Sequence, residues 1–279
     1  MNKQELFAAL ESLGMRPGRG LGQNFLLDHN LLECIVRSSG IKPGMNVLEV
    51  GPGFGALTAL MLDAGAEVYA IEFDRRLAGY LRNTLGNRAN FHLIEGDACK
   101  VPLEGVLPTP FHAVANLPYA VSSVFIARLL ELPEPPESCF FMLQKEMAQR
   151  LAAVPGTGNY GALSVRAQLV YDLTLERIVP PEVFFPPPEV ESALLRGTLK
   201  NQRPPREVRE RTGKAAKVAF NQRRKKIVNS LGPLYGADNV RAALEALGLA
   251  ADIRPERLTA AQFVALAGEL DKNTESTGA

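Results

Sequence analysis

The sequence predicts an α/β protein: a doubly wound, mainly parallel sheet closed by an antiparallel hairpin, followed by a small all-helical domain. Five apolar segments of strand length, beginning near residues 46, 68, 90, 111 and 138, alternate with segments of helical periodicity. The first of these strands runs into a glycine-rich turn. After the proline-containing segment 201–205 the pattern is helical and rich in Lys and Arg. We therefore expect one domain over residues 1–200 and a second over 203–279.

Composition excludes several classes of protein. Of the 279 residues, 46% are apolar and 22% are charged, which is typical of a globular protein. Three cysteines without a C-x-x-C pair argue against a disulfide framework, and three scattered histidines argue against a zinc site. The sequence has neither a signal-peptide core nor an apolar run of about 18 residues. We expect a cytoplasmic monomer that binds no membrane and no metal.

The N-terminal region precedes the first strand of the sheet. Apolar residues at helical spacing predict a short amphipathic helix over 3–14. A basic segment containing Arg16 and Arg19 interrupts it. Asn24 follows, and a lone amide beside such a loop suits contact with a polar ligand. Phe25-Leu26-Leu27 is expected to pack in the core, and residues 31–39 form the next helix.

The strand at 46–50 ends in Gly51-Pro52-Gly53-Phe54-Gly55, and a helix follows. Glycine lacks a Cβ, so such a turn lets the backbone approach a ligand closely. The spacing G-x-G-x-G, preceded by Glu49, differs from the dinucleotide fingerprint G-x-G-x-x-G and lacks the Lys of a P-loop. The turn alone predicts a Rossmann-like site for a nucleotide-like ligand without identifying that ligand.

Acidic residues end the next two strands. Glu72 closes the strand at 68–72, seventeen residues after Gly55, near where α/β nucleotide folds place a carboxylate on the ribose hydroxyls. Asp97 follows the third strand. Because the carboxyl ends of parallel strands share one edge of a sheet, Asp97 is expected in the same crevice.

Asn116-Leu117-Pro118-Tyr119 follows the fourth strand, residues 111–115, and suits methylation of an exocyclic amine on a base. The lone pair of adenine N6 is delocalised into the ring, so this nitrogen is a poor nucleophile. Acceptors on both of its hydrogens, the Asn116 side-chain oxygen and the Leu117 carbonyl, would favour a pyramidal nitrogen. Pro118 stiffens the turn and removes a competing donor, and Tyr119 offers a face on which a flipped base can stack.

The second half of the chain completes the sheet and leads to the helical domain. A fifth strand is predicted at 138–143 with a helix over 145–153, and another helix around 162–168. Residues 171–179 and 193–199 are predicted to form the antiparallel hairpin. The three prolines at 186–188 between them rule out a central strand there.

The basic residues are concentrated in one stretch. Residues 200–226 carry eleven Lys or Arg against two Glu, a local charge of +9 in a chain whose net charge is +1. Beside a base-modifying site, contact with phosphates is the better interpretation of this stretch. Two further amphipathic helices are predicted at 240–247 and 260–270.

Taken together, these motifs resemble the ribosomal RNA adenine N6,N6-dimethyltransferase family, in particular its bacterial small-subunit, kasugamycin-sensitivity type. The resemblance extends over nearly the whole chain. Its motifs are Gly22-Gln23-Asn24-Phe25-Leu26, Glu49 to Gly55, Ile71-Glu72-Phe73-Asp74, Glu95-Gly96-Asp97-Ala98, Asn116 to Tyr119, Gln144-Lys145-Glu146, Phe184 to Ser192 and Phe220 to Lys225.

The resemblance implies a class I methyltransferase fold and S-adenosylmethionine as methyl donor. It implies that two adjacent adenosines are each methylated twice in a hairpin near the 3′ end of small-subunit (16S) RNA, within an assembling 30S particle. It also implies that Tyr119 and Phe184 sandwich the target adenine, with Phe185 as the alternative. The residues implied for the cofactor are Asn24, Leu26, Gly51, Gly53, Glu72, Asp97, Ala98 and Asn116. Those expected on RNA are Arg16, Arg19, Arg223, Arg224, Lys225 and Lys226.

Two alternatives remain open, and two others are disfavoured. One is the related large-subunit RNA dimethyltransferase of the macrolide-resistance type. Another is a non-catalytic ribosome-assembly or transcription factor of the same fold, against which the intact Glu72, Asp97, Asn116 and Tyr119 argue. DNA adenine methyltransferases usually carry a second proline where Leu117 stands, which disfavours them. The glycine spacing disfavours an NAD-dependent oxidoreductase.

Overall fold

The computed structural model describes residues 3–15 and 24–276. Its strands are β1 (Phe25–Leu26), β2 (Asn46–Val50), β3 (Glu67–Glu72), β4 (Phe91–Glu95), β5 (His112–Asn116), β6 (Ser138–Gln144), β7 (Tyr171–Val179), β8 (Phe184–Phe185) and β9 (Ser192–Leu199). Its helices are α1 (Lys3–Ser12), α2 (His29–Ser39), α3 (Ala56–Asp63), α4 (Arg75–Leu85), α5 (Ser122–Leu129), α6 (Lys145–Leu151), α7 (Ala162–Val170), α8 (Arg206–Asn221), α9 (Ile227–Tyr235), α10 (Ala237–Ala246) and α11 (Ala260–Ser276).

A seven-stranded sheet has the order β4-β3-β2-β5-β6-β9-β7. The first five of these strands pair in parallel, and β9 pairs antiparallel with β6. The predicted fold class, a mainly parallel doubly wound sheet with an antiparallel addition, is confirmed. Strand β7 lies at the edge of the sheet. The chain then returns, so that β9 lies between β6 and β7. The carboxyl ends of β2, β3 and β5 therefore lie side by side at one edge of the sheet.

The helix boundaries follow local capping chemistry. The Asp28 side chain accepts a hydrogen bond from the Leu31 amide at the start of α2, and Gly40 ends that helix with φ of +74°. Asp74 caps α4 through the Arg76 amide in the same way. Helix α5 was not predicted. It begins at Ser122, shortly after the Asn116–Tyr119 turn, and is eight residues long.

A second, two-stranded sheet joins segments that are distant in the sequence. Strands β1 and β8 pair antiparallel, with Phe25 opposite Phe185 and Leu26 opposite Phe184. Leu26 is buried, in agreement with the core packing expected for this segment. The proline-rich segment lies outside the seven-stranded sheet, as its composition predicted.

The chain divides into two compact units. The first contains Met1–Leu129, Glu134–Ala148 and Thr174–Leu199, and the second contains Leu130–Pro133, Gln149–Leu173 and Lys200–Ala279. The second unit has its own core, in which Tyr160 and Val165 from the middle of the chain pack with C-terminal residues such as Leu231 and Phe263. The predicted division at residues 200–203, as a boundary between independent domains, stays a prediction.

In the described part of the chain, no helix is long and apolar enough to cross a lipid bilayer.

Candidate active site

A cavity of about 260 Å³ lies in the first unit, where β2, β3 and β5 end. Five separate segments of the chain form its walls, and together they carry the residues that the sequence predicts for a nucleotide-like ligand and for a target base. The predicted residues that line it are Asn24, Leu26, Gly51, Gly53, Glu72, Asp97, Ala98, Asn116, Leu117, Pro118 and Tyr119.

The glycine-rich turn is held in a backbone conformation that L-residues rarely adopt. Gly51, Gly53 and Gly55 have φ of +68°, +61° and +78°. A Cβ on Gly51 would lie 2.9 Å from Cγ of Pro118, and a Cβ on Gly53 would lie 3.2 Å from a ring carbon of Phe25. The turn therefore packs directly against the Asn116–Tyr119 segment, and its glycines are required by both backbone angle and contact.

Glu72 connects the end of β3 to the glycine-rich turn. Its two carboxylate oxygens accept hydrogen bonds from the Gly53 amide at 3.1 Å and the Asp74 amide at 2.9 Å. Burial raises the pKa of this carboxyl group, although these backbone hydrogen bonds oppose the shift. A carboxylate can accept about four hydrogen bonds. The carboxylate therefore keeps acceptor capacity for a hydroxyl of a bound ligand.

Asp97 also lines the cavity, in the turn after β4. Its Oδ1 accepts a hydrogen bond from the Cys99 amide at 2.9 Å, and the Lys100 ammonium lies 3.4 Å from Oδ2. The hydrogen bond from the Cys99 backbone is the main reason that the pKa of Asp97 is lowered. Asp97 is therefore an ionised acceptor, suited to a ligand amine.

Asn116 ends β5 and faces the segment before β1. Its side-chain nitrogen donates to the Asn24 carbonyl at 3.3 Å. With the nitrogen engaged, the side-chain oxygen remains as an acceptor. The Leu117 amide donates to the Met142 carbonyl of β6 at 3.1 Å, so the sheet fixes the backbone that carries the second predicted acceptor.

Tyr119 is fixed by its hydroxyl group. The hydroxyl lies 2.6 Å from Oγ of Ser192, a buried residue at the start of β9. Burial raises the pKa of Tyr119, so the side chain is a neutral phenol at physiological pH. Ser192 was predicted only as part of a motif, and its hydrogen bond gives it a specific role in orienting the ring.

The structure does not bring Phe184 and Phe185 into the described walls of the cavity. Phe184 is 3% exposed and belongs to the main core of the first unit. The Phe185 ring contacts the Phe7 ring edge-on, with centroids 4.8 Å apart. In this structure both rings therefore pack against protein, and the role of either ring on a target base stays a prediction.

Among the cavity residues that were not predicted as ligand contacts, Glu49 and Phe73 have distinctive surroundings. Glu49 is buried and its Oε2 accepts a hydrogen bond from the Thr58 hydroxyl at 2.6 Å; burial raises its pKa to about 8. Phe73 is 63% exposed, which is unusual for an aromatic side chain. Its position directly after Glu72, at the end of a buried strand, is the sequence signal that indicates a ring available for stacking on a ligand.

The predicted RNA-binding residues fall into three groups. Arg16 and Arg19 lie outside the described residues. Arg224, Lys225 and Lys226 are exposed in the second unit. The Arg223 guanidinium instead donates to the Thr157 carbonyl at 2.8 Å and to the Gly158 carbonyl, and it pairs with Glu256 at 3.0 Å.

Among the described residues, no three His, Cys, Asp or Glu side chains are grouped so that they could hold a metal ion.

The chain is similar to known proteins over most of its length. The model of the family described as ribosomal RNA adenine dimethylase matches residues 17–272. The protein named ribosomal RNA small subunit methyltransferase A of Ligilactobacillus salivarius is 38% identical over 277 residues, covering 95% of this chain and 94% of that protein. Its namesake in Pseudomonas savastanoi is 39% identical over 265 residues, covering 92% and 96%.

Solved structures agree with this similarity. A dimethyladenosine transferase from Plasmodium falciparum superposes with a TM-score of 0.75 at 25% identity, covering 90% of this chain and 98% of that chain. The 23S rRNA methyltransferase ErmE superposes with a TM-score of 0.65 at 28% identity, covering 89% and 100%. The predicted methyltransferase type of α/β fold is thereby confirmed.

Proposed function

Since this chain belongs to the ribosomal RNA adenine dimethylase family, we propose that it uses S-adenosylmethionine to dimethylate N6 of two adjacent adenosines in a hairpin near the 3′ end of small-subunit (16S) ribosomal RNA. Relatives that match more than nine-tenths of the chain carry the small-subunit name. The substrate in this proposal is the RNA of an assembling 30S particle, so that methylation accompanies small-subunit biogenesis.

One observation carries the proposal: the glycine-rich turn and the Asn116–Tyr119 segment form adjoining walls of a single cavity. They are in contact, because a Cβ on Gly51 would collide with Pro118. A methyl donor on the turn and an amine at Asn116 would then be neighbours. Methyl transfer depends chiefly on such positioning.

The residues of the cavity fit S-adenosylmethionine, which when bound supplies an electrophilic methyl group on a sulfonium. In our proposal Gly51 and Gly53 let the backbone approach it closely, and Glu72 accepts hydrogen bonds from the ribose hydroxyls. Asp97, with its lowered pKa, accepts from the adenine amine. The exposed Phe73 ring offers a stacking face beside these acids. The other proposed contacts are Asn24, Leu26, Ala98 and Asn116.

The protein's part in catalysis is to orient the target amine. The Asn116 side-chain oxygen and the Leu117 carbonyl would each accept one hydrogen from adenine N6, which directs the nitrogen lone pair toward the methyl group. No strong base is required, because the proton becomes acidic only after the nitrogen gains a methyl group. Stacking on Tyr119, worth about 1–3 kcal/mol, offsets the few kcal/mol that unstacking the base costs.

RNA contact in this proposal comes from basic residues outside the cavity. Arg224, Lys225 and Lys226 are exposed and suited to phosphates, and Arg16 and Arg19 are proposed from the sequence. The Arg223 guanidinium donates its hydrogen bonds to Thr157, Gly158 and Glu256 instead. We therefore propose that Arg223 holds this segment in place while its neighbours contact RNA.

The test is radiolabelled methyl transfer to immature small subunits from a strain that lacks the modification, followed by mapping of the labelled bases. We expect dimethyladenosine at two adjacent positions near the 3′ end. A second candidate is the large-subunit reaction, which the similarity to ErmE favours. Label confined to large-subunit RNA would establish that candidate, and no label on either RNA would indicate a non-catalytic assembly factor.

A further inference from the structure

A second cavity, of about 250 Å³, lies within the second unit, between α7, α8 and the short segment that begins at Leu130. Helix α8 contributes residues spaced three and four apart, which therefore lie on one face of the helix. These are Arg206, Arg209, Glu210, Gly213, Lys214 and Lys217. Where one helix faces another, such a face is usually apolar. This one is charged.

The charge of the cavity is strongly positive. Five basic and two acidic side chains line it, a net charge of +3. Both acids already have basic partners: Glu131 pairs with Arg166 at 2.7 Å, and Glu210 pairs with Arg206 at 2.7 Å. In the described part of the chain, no carboxylate forms an ion pair with the other three basic residues, which are Arg209, Lys214 and Lys217.

Arg209 is the buried member of this group, with only 7% of its surface exposed. Two of its nitrogens donate to main-chain carbonyls, to Leu130 at 2.6 Å and to Leu132 at 3.1 Å. Its Nε is buried and has no hydrogen-bond partner among the described residues. The two hydrogen bonds thus go to neutral carbonyls and not to a carboxylate, and a buried guanidinium in such surroundings is costly unless an anion lies nearby.

The space beside Arg209 depends on a glycine. A Cβ on Gly213 would lie 3.4 Å from the Cδ, Cγ and Nε atoms of Arg166. The Arg166 side chain therefore lies directly along α8, and Arg166 forms part of the cavity wall. Three arginines and two lysines consequently line one small space.

From this arrangement we propose that the α7–α8 cavity is a binding site for a phosphate group, separate from the cavity that holds the proposed methylation site. Arg209, Lys214 and Lys217 form no ion pair with a carboxylate of the described residues, so a phosphate would supply negative charge that the cavity lacks, and Arg groups favour its oxygens through paired hydrogen bonds. The phosphate could belong to the backbone of the substrate RNA, a source that rests on the proposed function, or to a small free phosphate compound.

The first experiment titrates the full-length protein with sodium pyrophosphate by isothermal calorimetry. We expect one site, with affinity at least tenfold weaker in the double variant Lys214→Gln/Lys217→Gln. Both lysines are exposed, so the variant should remain folded. The matched control is Lys42→Gln/Lys272→Gln, which removes two exposed lysines outside the cavity. Equal pyrophosphate affinity in wild type and the cavity variant, or an equal loss in the control, would overturn the proposal.

A gain-of-function variant guards against misfolding as an explanation. Glu131→Gln removes one negative charge from the cavity and releases Arg166, so pyrophosphate should bind several-fold more tightly. Tighter binding would support the site, because a protein that is merely destabilised has no reason to bind pyrophosphate more tightly. Weaker binding by this variant would count against the site.

The second arm identifies the source of the phosphate. Fluorescence anisotropy measures binding of a labelled single-stranded RNA at several salt concentrations. If the RNA backbone occupies the cavity, Lys214→Gln/Lys217→Gln should lower the slope of log affinity against log salt by about 0.7 for each phosphate that the protein no longer neutralises. An unchanged slope, with pyrophosphate binding abolished, assigns the site to a small phosphate compound. Neither outcome requires methyl transfer, so failure of the proposed reaction would remain distinguishable.

Discussion

The carboxyl group of Glu49 is buried in the first unit, where it accepts a hydrogen bond from the Thr58 hydroxyl. Burial raises its pKa from the usual 4.5 to about 8, and the nearby Glu72 adds to the shift. Between these two pH values the folded protein holds a proton that the unfolded chain has lost. The contribution of Glu49 to stability is therefore complete below pH 4.5 and is lost as the pH rises through about 8.

Glu49→Gln tests this proton at the residue scale. Glutamine keeps the shape and an acceptor for Thr58 but cannot ionise. We expect the stability of the variant, relative to wild type, to rise with pH by up to about 1.4 kcal/mol per pH unit within the window. Urea unfolding without ligand at pH 5.5, 7.0 and 8.5 measures the difference. Glu207→Gln, at an exposed acid, is the control. A difference independent of pH would show that Glu49 ionises like an exposed acid.

Asn116 supports a second prediction at this scale. Asn116→Ala removes the proposed acceptor for the amine, so turnover should disappear while the Kd for S-adenosylmethionine changes by less than about tenfold. The matched control is Asn46→Ala, which also removes an amide that donates to a main-chain carbonyl, at 3.1 Å, but does not line the cavity. Equal losses of cofactor binding and turnover in Asn116→Ala would make Asn116 mainly a cofactor ligand.

At the scale of elements, the site depends on the contact between the turn after β2 and the turn after β5. Gly51 and Pro118 meet at that contact, where a Cβ on Gly51 would lie 2.9 Å from Cγ of Pro118. The contact sets the separation between the proposed donor and acceptor sites, and a change of one methyl group there should be felt in both.

The comparison of Gly51→Ala with Gly44→Ala separates contact from backbone strain. Both glycines have positive φ, +68° and +79°, but a Cβ on Gly44 meets nothing within 4 Å. We expect Gly44→Ala to cost about 1–2 kcal/mol of stability and to retain activity. Gly51→Ala should cost about 1–3 kcal/mol more, because it overpacks Pro118, and should lose methyl transfer. Thermal unfolding and turnover measure both effects, and similar behaviour of the two variants would refute the role of the contact.

At the scale of the whole molecule, the basic residues give the interaction with RNA its dependence on salt. If the protein makes about six phosphate contacts, raising the salt concentration from 50 to 200 mM should weaken RNA binding on the order of a thousandfold. Arg224→Gln/Lys225→Gln should lower the salt slope by about 1.4–1.8 without lowering the Tm. Arg223→Gln should lower the Tm and leave the salt slope unchanged, because it breaks contacts to Thr157 and Glu256 within the protein. A flat salt profile in wild type would exclude phosphate contacts as the main source of affinity.

The fold was largely predictable, because its strands and helices carry clear periodicity. Strands such as β2 and β3 are buried on both faces and appear as short apolar runs, and their terminal Gly51, Glu72 and Asp97 mark the edge where the cavity forms. The residues that line the cavity could be predicted from the sequence for the same reason. Topology places the ends of parallel strands together without any knowledge of side-chain packing.

What could not be predicted depends on contacts between distant segments. The strands β1 and β8 have two residues each, too few for periodicity, and the Tyr119–Ser192 hydrogen bond spans 73 positions. The eleven basic residues of 200–226 also look equivalent in the sequence. Only the packed structure shows that Arg209 is buried and that Arg223 is engaged with carbonyls.

The second unit is assembled from three separate stretches of the chain, Leu130–Pro133, Gln149–Leu173 and Lys200–Ala279. Tyr160, for example, donates its hydroxyl hydrogen bond to the Leu258 carbonyl at 2.9 Å. A cut at residue 200 would leave Tyr160 and Val165 without the C-terminal residues that bury them. No single continuous segment of the chain therefore contains the whole unit, so fusing one segment to another protein would not transfer it. Recombination that exchanged it would have to exchange all three stretches at once, so its evolution is tied to that of the enzyme that carries it.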